Sequence, residues 1–376
     1  MKTAMLMSGG VDSSVAAQLL HNNGVDFDPF YIKISMEGFD DEYSCTQEED
    51  VEMASAVCHR LGKKLEIIDL HKEYWDNVVK YHIDKVKNGL TPNPDVMCNR
   101  LIKFGAFDEK TNHEYDKIAT GHYATTQTDE NGLVWLGTAK DPIKDQTDFL
   151  GNMTPSQVSK AIFPIGWYNK SEVREIAKEF NLAPSMRKDS QGICFLGKIN
   201  YNQFVEKHLG INKGSIVDID TDKVIGEHNG FWFHTIGQRK GLGLSGGPWF
   251  VVKKDIKKNI IYVSKNPEFD MVQWGESKNY SHEPFIGLGR RENINWCTKD
   301  IFPSDDDICW QTTETCPEIM FKIRHTPEFT YGRLHNYNGY MFIKNFSNVG
   351  GIAPGQFCTL YDRNNNLCYG CTEIQI

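Results

Sequence analysis

The sequence predicts an α/β domain with a parallel sheet, followed by a small linking domain and a C-terminal β-barrel. Three observations support this fold class. Apolar runs alternate with helix-like segments over residues 1–206, which is typical of a parallel sheet covered by helices. Helical periodicity is lost over 207–276. Short alternating strands with turn signals fill 277–376, as in a small barrel. We therefore expect three domains with these boundaries.

The first strand–turn–helix unit carries the most informative motif. The apolar run 4–7 is followed by Ser8-Gly9-Gly10-Val11-Asp12-Ser13 and by a helix-like segment over 14–20. Glycines let backbone N–H groups approach a phosphate, and a helix N-terminus favours an anion. The motif lacks the Lys-Ser or Lys-Thr of a Walker-type loop and the third glycine of a dinucleotide fingerprint. A plain turn capped by Asp12 or Ser13 is the structural alternative.

The remaining elements of the first domain continue the alternation. Strands are predicted at 30–34, 65–70 and 117–120, and helices at 47–61, 71–87 and 170–180. Ligands of such sheets bind at the carboxyl ends of the strands. The loop at 8–13 is therefore the expected nucleotide site.

Two cysteines lie in segments that suit a reactive thiol. Prolines and asparagines in 91–97 argue against helix before about Cys98, which would then stand near the N-terminus of a helix over 101–109. A helix N-terminus lowers the pKa of a thiol. Cys194 lies in the segment 187–195 among two cations and a glycine. The ordinary alternative for each is a buried structural cysteine.

The sequence of the second half of the chain predicts mainly β-structure. A hairpin is predicted over 214–226, strands over 249–252 and 260–263, and a tight hairpin turn at Asn338-Gly339. The stretch 234–243 between them is glycine-rich and basic. Cys368 and Cys371 form a Cys-x-x-Cys pair, for which ordinary buried barrel cysteines are a better prediction than structural zinc, because the spacing fits no standard array.

Bulk composition narrows the functional class. The 376 residues are 40% hydrophobic and 12% aromatic, which indicates folded domains. Ten cysteines in a chain of this length do not indicate a disulfide scaffold. The net charge of −9 argues mildly against a nucleic-acid partner, although local basic patches decide binding. Because the sequence enters a strand almost at once and has no long apolar run, we expect a cytoplasmic protein without a membrane contact. We also expect a monomer.

Particular blocks resemble known families. The segment 8–13 resembles the PP-loop of the N-type ATP pyrophosphatases, whose fold is adenine nucleotide α-hydrolase-like. Essentially the whole chain resembles the tRNA-specific 2-thiouridylases. The matching blocks are 8–13, 91–99, 119–123, 144–146, 188–195, 234–243 and 353–356. The Asn-Pro-Asp-x-x-Cys block ending at Cys98 and the Gly-Ile-Cys-Phe block around Cys194 are the most specific of these.

The resemblance implies a tRNA-uridine 2-sulfurtransferase. ATP with Mg²⁺ adenylates the C2 oxygen of the wobble uridine, and a persulfide on Cys194 attacks C2. Cys98 then releases the sulfur or closes a disulfide with Cys194. Asp95 is the implied acid/base group. The implied ATP-binding residues are Leu6, Met7, Ser8, Gly9, Gly10, Val11, Asp12, Ser13, Ile32 and Gly121.

The same resemblance implies contacts with tRNA, expected to be the Lys, Glu and Gln isoacceptors. The sulfur is expected to come from a cysteine desulfurase or a sulfur-relay protein. Without the family context, His122 would be read as a structural histidine. Asp148 departs from the family pattern, which commonly has tyrosine there. The implied tRNA-binding residues are Asn93, Pro94, Asp95, His122, Lys144, Asp145, Gln146, Arg324, His325 and Gln356.

Two other functions stay open at this point. Another PP-loop enzyme could adenylate a small molecule and form an amide or similar bond, and it would need neither cysteine. A non-catalytic tRNA-binding protein could keep the fold, and it would release no AMP from ATP. The intact loop with Asp95, Cys98 and Cys194 favours the sulfurtransferase.

Overall fold

A computed structural model describes residues 1–34, 40–188, 200–266, 285–296, 316–337, 339–345, 347, 349, 352–364 and 366–375. Its helices are α1 (Val11–Asn22), α2 (Asp40–Arg60), α3 (His71–Tyr74), α4 (Lys80–Lys87), α5 (Pro94–Cys98), α6 (Phe107–Lys110), α7 (Thr147–Leu150), α8 (Pro155–Lys160), α9 (Lys170–Glu179) and α10 (Tyr201–Leu209). π-Helical segments Trp75–Val79 and Asn99–Ala106 join α3 to α4 and α5 to α6, and 3₁₀ turns cover Ala183–Met186, Phe231–Phe233 and Arg291–Asn293.

The strands fall into three sheets. They are β1 (Thr3–Leu6), β2 (Asp28–Lys33), β3 (Glu66–Asp69), β4 (Lys117–Ala119), β5 (Thr125–Thr128), β6 (Val134–Gly137), β7 (Ala161–Ile162), β8 (Gly214–Asp218), β9 (Lys223–His228), β10 (Phe250–Asp255), β11 (Ile260–Ser264), β12 (Phe285–Arg290), β13 (Asn295–Trp296), β14 (Glu318–Lys322), β15 (Thr330–Tyr337), β16 (Tyr340–Asn345), β17 (Phe357–Asp362) and β18 (Leu367–Glu373).

The first sheet is parallel and has β1 at its centre. Its five strands follow the order β3-β2-β1-β4-β7. Side chains of β1 alternate between two apolar clusters: Ala4 and Leu6 pack on one face, Met5 and Met7 on the other. Burial on both faces explains why this strand reads as a continuous apolar run. The predicted α/β domain is confirmed, and β1, β2 and β4 all end at the edge that carries the loop 8–13.

The middle region forms a separate four-stranded sheet in the order β10-β11-β8-β9. The β8–β9 pair is antiparallel, as the predicted hairpin requires, whereas β11 lies parallel to β8. Its core contains Ile216, Val251, Ile261 and Val263. These residues come from the apolar positions of the predicted strands, which confirms the predicted small linking domain.

The C-terminal region is built on a nine-stranded sheet that confirms the predicted β-barrel. Its order is β12-β16-β15-β14-β17-β18-β6-β5, with β13 also paired to β18. The predicted tight hairpin joins β15 to β16, whose register pairs Tyr337 with Tyr340. Strands β5 and β6 come from the first region and extend this sheet through the pairing of Leu136 with Cys368. The barrel therefore packs directly against the domain of the parallel sheet.

The helix that carries Cys98 begins earlier than predicted. It starts at Pro94, with the Asn93 side chain accepting hydrogen bonds from the amides of Asp95 and Val96. Proline is favoured at the first position of a helix, where its missing N–H costs nothing. The expectation of no helix before Cys98 is therefore wrong, and Cys98 stands at the end of the first turns, not at the N-terminus. In the part of the chain described above, no helix combines the length and apolarity needed to cross a membrane.

Candidate active site

The loop after β1 is closed by its own serines. The Ser8 amide donates to Ser13 Oγ at 3.1 Å, and the Ser13 and Ser14 hydroxyls donate to the Gly10 carbonyl at 3.2 and 2.8 Å. Gly10 occupies the N-cap of α1, so Asp12 and Ser13 lie inside the first turn and do not cap it. The capped-turn alternative is thus wrong, and the Asp12 carboxylate is available for another role.

Two glycines allow close backbone packing at this loop. Gly9 has φ +71°, and a Cβ there would lie 2.3 Å from the Asp50 carbonyl oxygen. A Cβ on Gly121, just after β4, would lie 2.6 Å from the Ser13 amide nitrogen. Residues expected to bind ATP therefore meet across neighbouring strands, with Ile32 at the end of β2. This is where α/β sheets bind nucleotides.

The carboxylate of Asp12 is held by a cation from another helix. Lys170 Nζ, at the start of α9, donates to both Asp12 oxygens at 2.7 and 2.9 Å, and the Tyr123 hydroxyl donates to one of them at 2.9 Å. The Lys170 ammonium also lies 5.7 Å from the centre of the Tyr123 ring. The negative charge in the loop is thereby compensated, which favours an approaching polyphosphate.

An arginine joins the loop to the segment that precedes Cys194. Arg187 donates to the Gly9 carbonyl at 3.0 Å and to the Asp50 carboxylate at 2.7 Å. Its own carbonyl accepts from Arg174 at 2.6 Å. Cys194 itself lies outside the described residues. Arg187, seven positions before it, is held at the edge of the loop 8–13 by these contacts.

The Asn-Pro-Asp-x-x-Cys block forms the start of one helix. Asn93 caps the helix, Pro94 is buried, Asp95 is partly buried and Cys98 is 4% exposed. Residues three positions apart lie on the same side of a helix. The carboxylate of Asp95 and the sulfur of Cys98 are thus presented by neighbouring positions of α5.

A hydrogen-bond network lies beside this helix. Lys103 Nζ donates to Asn99 Oδ1 at 2.8 Å and contacts His122 Nε2 at 3.2 Å, while His122 Nδ1 lies 2.8 Å from Thr120 Oγ1. Burial and the Lys103 ammonium hold the pKa of His122 well below its ordinary value. Because an ammonium can only donate, Nε2 accepts and Nδ1 carries the proton. The structure thus gives His122 the contacts of a structural histidine.

The cluster 144–146, which is predicted to contact tRNA, has side chains that point into the protein. Asp145 is 2% exposed and its carboxylate accepts from the Ala139 amide, the Thr147 hydroxyl and Lys322 Nζ, the last at 3.0 Å. Gln146 exchanges hydrogen bonds with the backbone of Tyr123. The Asp145 carboxylate is thus engaged in a buried ion pair with Lys322, and the contact of this residue with tRNA stays a prediction. Lys144 is partly exposed.

The barrel contributes the other predicted tRNA-binding residues. His325 Nδ1 lies 3.3 Å from both oxygens of Asp148, and its ring packs on Phe149 at a centroid distance of 4.9 Å. The hydrogen bond to Asp148 raises the pKa of His325. Asp148, which departs from the family pattern, thus has a histidine partner whose protonated form it stabilises. Arg324 is exposed and donates to the Ile236 carbonyl at 3.1 Å, while Gln356 accepts from the Ala353 amide at 2.8 Å.

Three cysteines in the described part of the barrel are fully buried. Cys358, Cys368 and Cys371 are each 0% exposed. Burial raises the pKa values of Cys358 and Cys371, so their thiols stay protonated. Across the described ranges, the side chains of His, Cys, Asp and Glu form no group of three or more that could hold a metal ion.

Several residues of the site were not predicted from the sequence. Lys170 and Tyr123 hold Asp12, Lys103 holds His122, and Lys322 holds Asp145. Tyr123 belongs to the matching block 119–123, so the sequence motif could have identified it as a site residue. The three lysines looked like ordinary charges of helices or strands, because their partners are distant in the sequence.

The chain is similar to known protein families over three consecutive spans. Family models match residues 1–198 as a tRNA methyl transferase HUP domain, 202–265 as a tRNA methyl transferase PRC-barrel domain and 290–374 as an aminomethyltransferase beta-barrel domain. The first match alone covers more than half of the chain. Together they follow the three sheets described above.

Curated relatives match over the full length. The tRNA-specific 2-thiouridylase MnmA of Parabacteroides distasonis is 53% identical over 100% of this chain and 99% of its own. That of Porphyromonas gingivalis is 51% identical, with the same coverage of both chains. The tRNA-specific 2-thiouridylase MnmA 2 of Bacteroides fragilis is 52% identical over 100% of both chains. Matches of this extent, on an intact nucleotide loop and an intact Asp95–Cys98 helix, mean that the chain belongs to the MnmA family of tRNA-specific 2-thiouridylases.

Proposed function

We propose that this protein is a tRNA-uridine 2-sulfurtransferase that uses ATP to convert a tRNA uridine to 2-thiouridine. The observation that carries the proposal is the full-length identity of 51–53% to relatives with this activity in their names. The geometry supports it, because the loop 8–13 and the helix carrying Asp95 and Cys98 belong to one domain. ATP is the activating substrate, as the PP-loop implies.

In the first step the C2 oxygen of the wobble uridine attacks the α-phosphorus of ATP. A bond forms between that oxygen and phosphorus, and pyrophosphate leaves. The loop 8–13 is proposed to hold the phosphates, with Ile32 and Gly121 beside the nucleotide. Mg²⁺ would be held chiefly by phosphate oxygens, a ligand type that it prefers. Both oxygens of Asp12 already accept hydrogen bonds from Lys170. We therefore propose that Asp12 chiefly stabilises the structure of the loop.

In the second step a persulfide on Cys194 attacks C2 and AMP leaves with the former carbonyl oxygen. The terminal sulfur must then separate from Cys194. Cys98 releases it by attacking Cys194 Sγ: the bond from Cys194 to the terminal sulfur breaks, that sulfur stays on C2, and a Cys98–Cys194 disulfide forms. An external thiol reductant would then reduce this disulfide and restore both cysteine thiols. Asp95 is proposed to handle the proton at the base, because it is presented by the same helix as Cys98.

Substrate and partners follow from the same proposal. We propose the Lys, Glu and Gln isoacceptors as the tRNA substrates, and a cysteine desulfurase or a relay protein as the sulfur source. Exposed Arg324 and partly exposed Lys144 are the strongest candidates for phosphate contacts. The enzyme is proposed to act as a cytoplasmic monomer. Its three domains are proposed at 1–206, 207–276 and 277–376, which the matched spans and the separate sheets support.

The test is direct detection of the product. Purified protein is incubated with ATP, Mg²⁺, a persulfide source and unmodified tRNA, and the digested tRNA is analysed by mass spectrometry. We expect 2-thiouridine from the wild type and none from Cys194→Ser or Cys98→Ser, while the pyrophosphate release of the first step continues in both variants. Cys58→Ala is the matched control: Cys58 is another buried cysteine, 1% exposed, on α2.

The alternative functions give different products in the same assay. Activity that survives serine at both Cys98 and Cys194 indicates another adenylating PP-loop enzyme. tRNA binding without AMP release indicates a non-catalytic protein. A methylated uridine with an added methyl donor would agree with the description of the family model and contradict sulfur transfer.

A further inference from the structure

A cavity lies between the nucleotide-binding domain and the linking domain. It has a volume of about 220 Å³. One wall comes from α4 and residues 90–92, another from Tyr201 at the start of α10, and a third from the turn at 232–235. No step of the proposed reaction uses this cavity.

The walls of the cavity are aromatic. His82 and Tyr201 meet edge to face, with ring centroids 5.7 Å apart, and His82 Nε2 lies 3.2 Å from the Tyr201 hydroxyl. Trp232 is fixed by a hydrogen bond from its Nε1 to the Gly210 carbonyl at 3.3 Å and by an edge contact with Phe231. Such a surface suits a flat ring, which gains from stacking on aromatic side chains.

The cavity is polar without being strongly charged. Burial lowers the pKa values of His82 and His234 to about 4, so both imidazoles are neutral at pH 7. The hydroxyls of Thr91 and Thr235 belong to lining residues. The ammonium of nearby Lys254 donates to the Gly89 carbonyl at 3.1 Å. Neutral donors and acceptors among aromatic rings fit an uncharged heterocycle better than a phosphate or a carboxylate.

The position of the cavity connects it to the target base. Thr91 and Pro92 directly precede Asn93, and two residues of chain span at most about 7 Å. The Thr91 amide donates to the Pro354 carbonyl of the barrel at 2.8 Å. A Cβ on Gly355 would lie 2.9 Å from Leu90 Cβ. The wall formed by residues 90–92 is therefore held by contacts with the barrel. It directly precedes Asn93, which caps the helix that carries Asp95 and Cys98.

We propose that this cavity receives the base of a nucleotide directly adjoining the target uridine. The inference rests on the proposed function, since it takes tRNA as the substrate. An engineered cavity of roughly 150 Å³ holds benzene, so a cavity of about 220 Å³ has room for a heterocyclic base. RNA loops are commonly recognised by splayed bases stacked on aromatic side chains. The neighbour in the cavity would fix the position of the reacting base.

The test combines altered tRNA with altered cavity residues. Three tRNAs carry one abasic nucleotide each, on the 5′ side of the target uridine, on its 3′ side, or at a distant loop position as a control. Trp232→Leu removes the stacking surface, and Thr235→Phe fills the cavity. Trp167→Leu is the matched control, because Trp167 is 59% exposed on another surface. Thermal unfolding checks that each variant is folded.

We expect one of the two adjoining abasic tRNAs to raise KM for tRNA about 10- to 100-fold with the wild type, as for loss of one stacked base. Trp232→Leu and Thr235→Phe should raise KM for intact tRNA by a similar factor. With that abasic tRNA the two variants should show little further increase in KM, because the protein change and the missing base remove the same interaction. Trp167→Leu and the distant abasic tRNA should match the wild type.

The proposal is overturned if both adjoining abasic tRNAs have the same KM as intact tRNA. It is also overturned if the increases in KM caused by the protein variant and by the abasic tRNA multiply when the two are combined. It is also overturned if the cavity variants raise KM for ATP or for the sulfur-donor protein instead. Fluorescence of 2-aminopurine at the adjoining position gives a readout independent of turnover: it should fall on binding to the wild type and less with Trp232→Leu. Failure of the wild type to thiolate intact tRNA would instead reject the proposed function.

Discussion

Lys322 of the barrel places its ammonium 3.0 Å from the carboxylate of Asp145 in the nucleotide-binding domain, and the two side chains are 1% and 2% exposed. Lys322 Nζ also lies 4.4 Å from the centre of the Phe329 ring. Asp145 accepts two further hydrogen bonds, from the Ala139 amide and the Thr147 hydroxyl. This buried pair joins the barrel to the segment that opens α7, close to several predicted tRNA-binding residues.

Removal of one member of this pair is expected to destabilise the protein strongly. Lys322→Met leaves a buried carboxylate without its counter-ion, which typically costs about 3–5 kcal/mol. The double variant Lys322→Met/Asp145→Asn should recover part of that loss, because no uncompensated charge remains. Urea unfolding measures both. Lys72→Met, which breaks the exposed pair with Asp76, is the control and should leave the unfolding midpoint unchanged. Equal midpoints for Lys322→Met and Lys72→Met would contradict this account.

Gly121→Ala is expected to damage ATP use without a large loss of stability. The added Cβ would lie 2.6 Å from the Ser13 amide and 2.8 Å from the Asp12 carbonyl carbon. Both are backbone atoms, so the nucleotide loop itself must shift. A displacement of about 1 Å in a reacting assembly can lower the rate about 100-fold. The measurement is tRNA-dependent AMP formation at varied ATP.

Gly24→Ala separates this effect from backbone strain. Gly24 has φ +68° and open space around its Cβ position, so alanine there strains the backbone without touching the loop. It should lower the unfolding midpoint and leave the kinetics with ATP unchanged. Normal ATP kinetics in Gly121→Ala would mean that the loop tolerates displacement.

Lys170→Met is expected to weaken ATP use through charge. The substitution keeps the length of the side chain but leaves the Asp12 carboxylate uncompensated beside the bound phosphates. At an effective dielectric constant near 20, one added negative charge at short range is worth a few kcal/mol, so we expect KM for ATP to rise by roughly tenfold or more. Lys170→Arg should restore part of the affinity. Lys140→Met, at the exposed pair with Glu172, is the matched control, and an equal effect there would remove the special role of Lys170.

The sequence predicted the parts of the structure that depend on local pattern. The apolar run, the two glycines and the following helix of 4–20 appear as β1, the loop and α1. The predicted hairpin around residues 338–339 also appears, as β15 and β16. In each case the signal lies within one short segment, where periodicity and turn residues are informative. The helix start at Pro94 was missed although proline at the first position is a local signal.

The remaining features depend on partners that are distant in the sequence. Strands β5 and β6 are short and their partner β18 lies near the end of the chain. Lys170 lies 158 positions from Asp12, and Lys322 lies 177 positions from Asp145. Nothing in the local composition links these residues. Motifs therefore predicted the candidate residues Asp12 and Asp145, but not the cations that hold their carboxylates in place.

The pair of His325 and Asp148 is expected to make stability depend on pH. The hydrogen bond that His325 donates to Asp148 raises the pKa of His325 above its ordinary value near 6.5. The stabilisation is therefore complete below that value and is lost as pH rises through the raised pKa of the folded state. His325 is 40% exposed, so the effect is screened and modest. Thermal unfolding from pH 5.5 to 8.5 should show the wild type losing its advantage over Asp148→Asn as pH rises, with His325→Gln giving the same profile as Asp148→Asn. A constant difference across this range would show that the pair acts as a neutral contact.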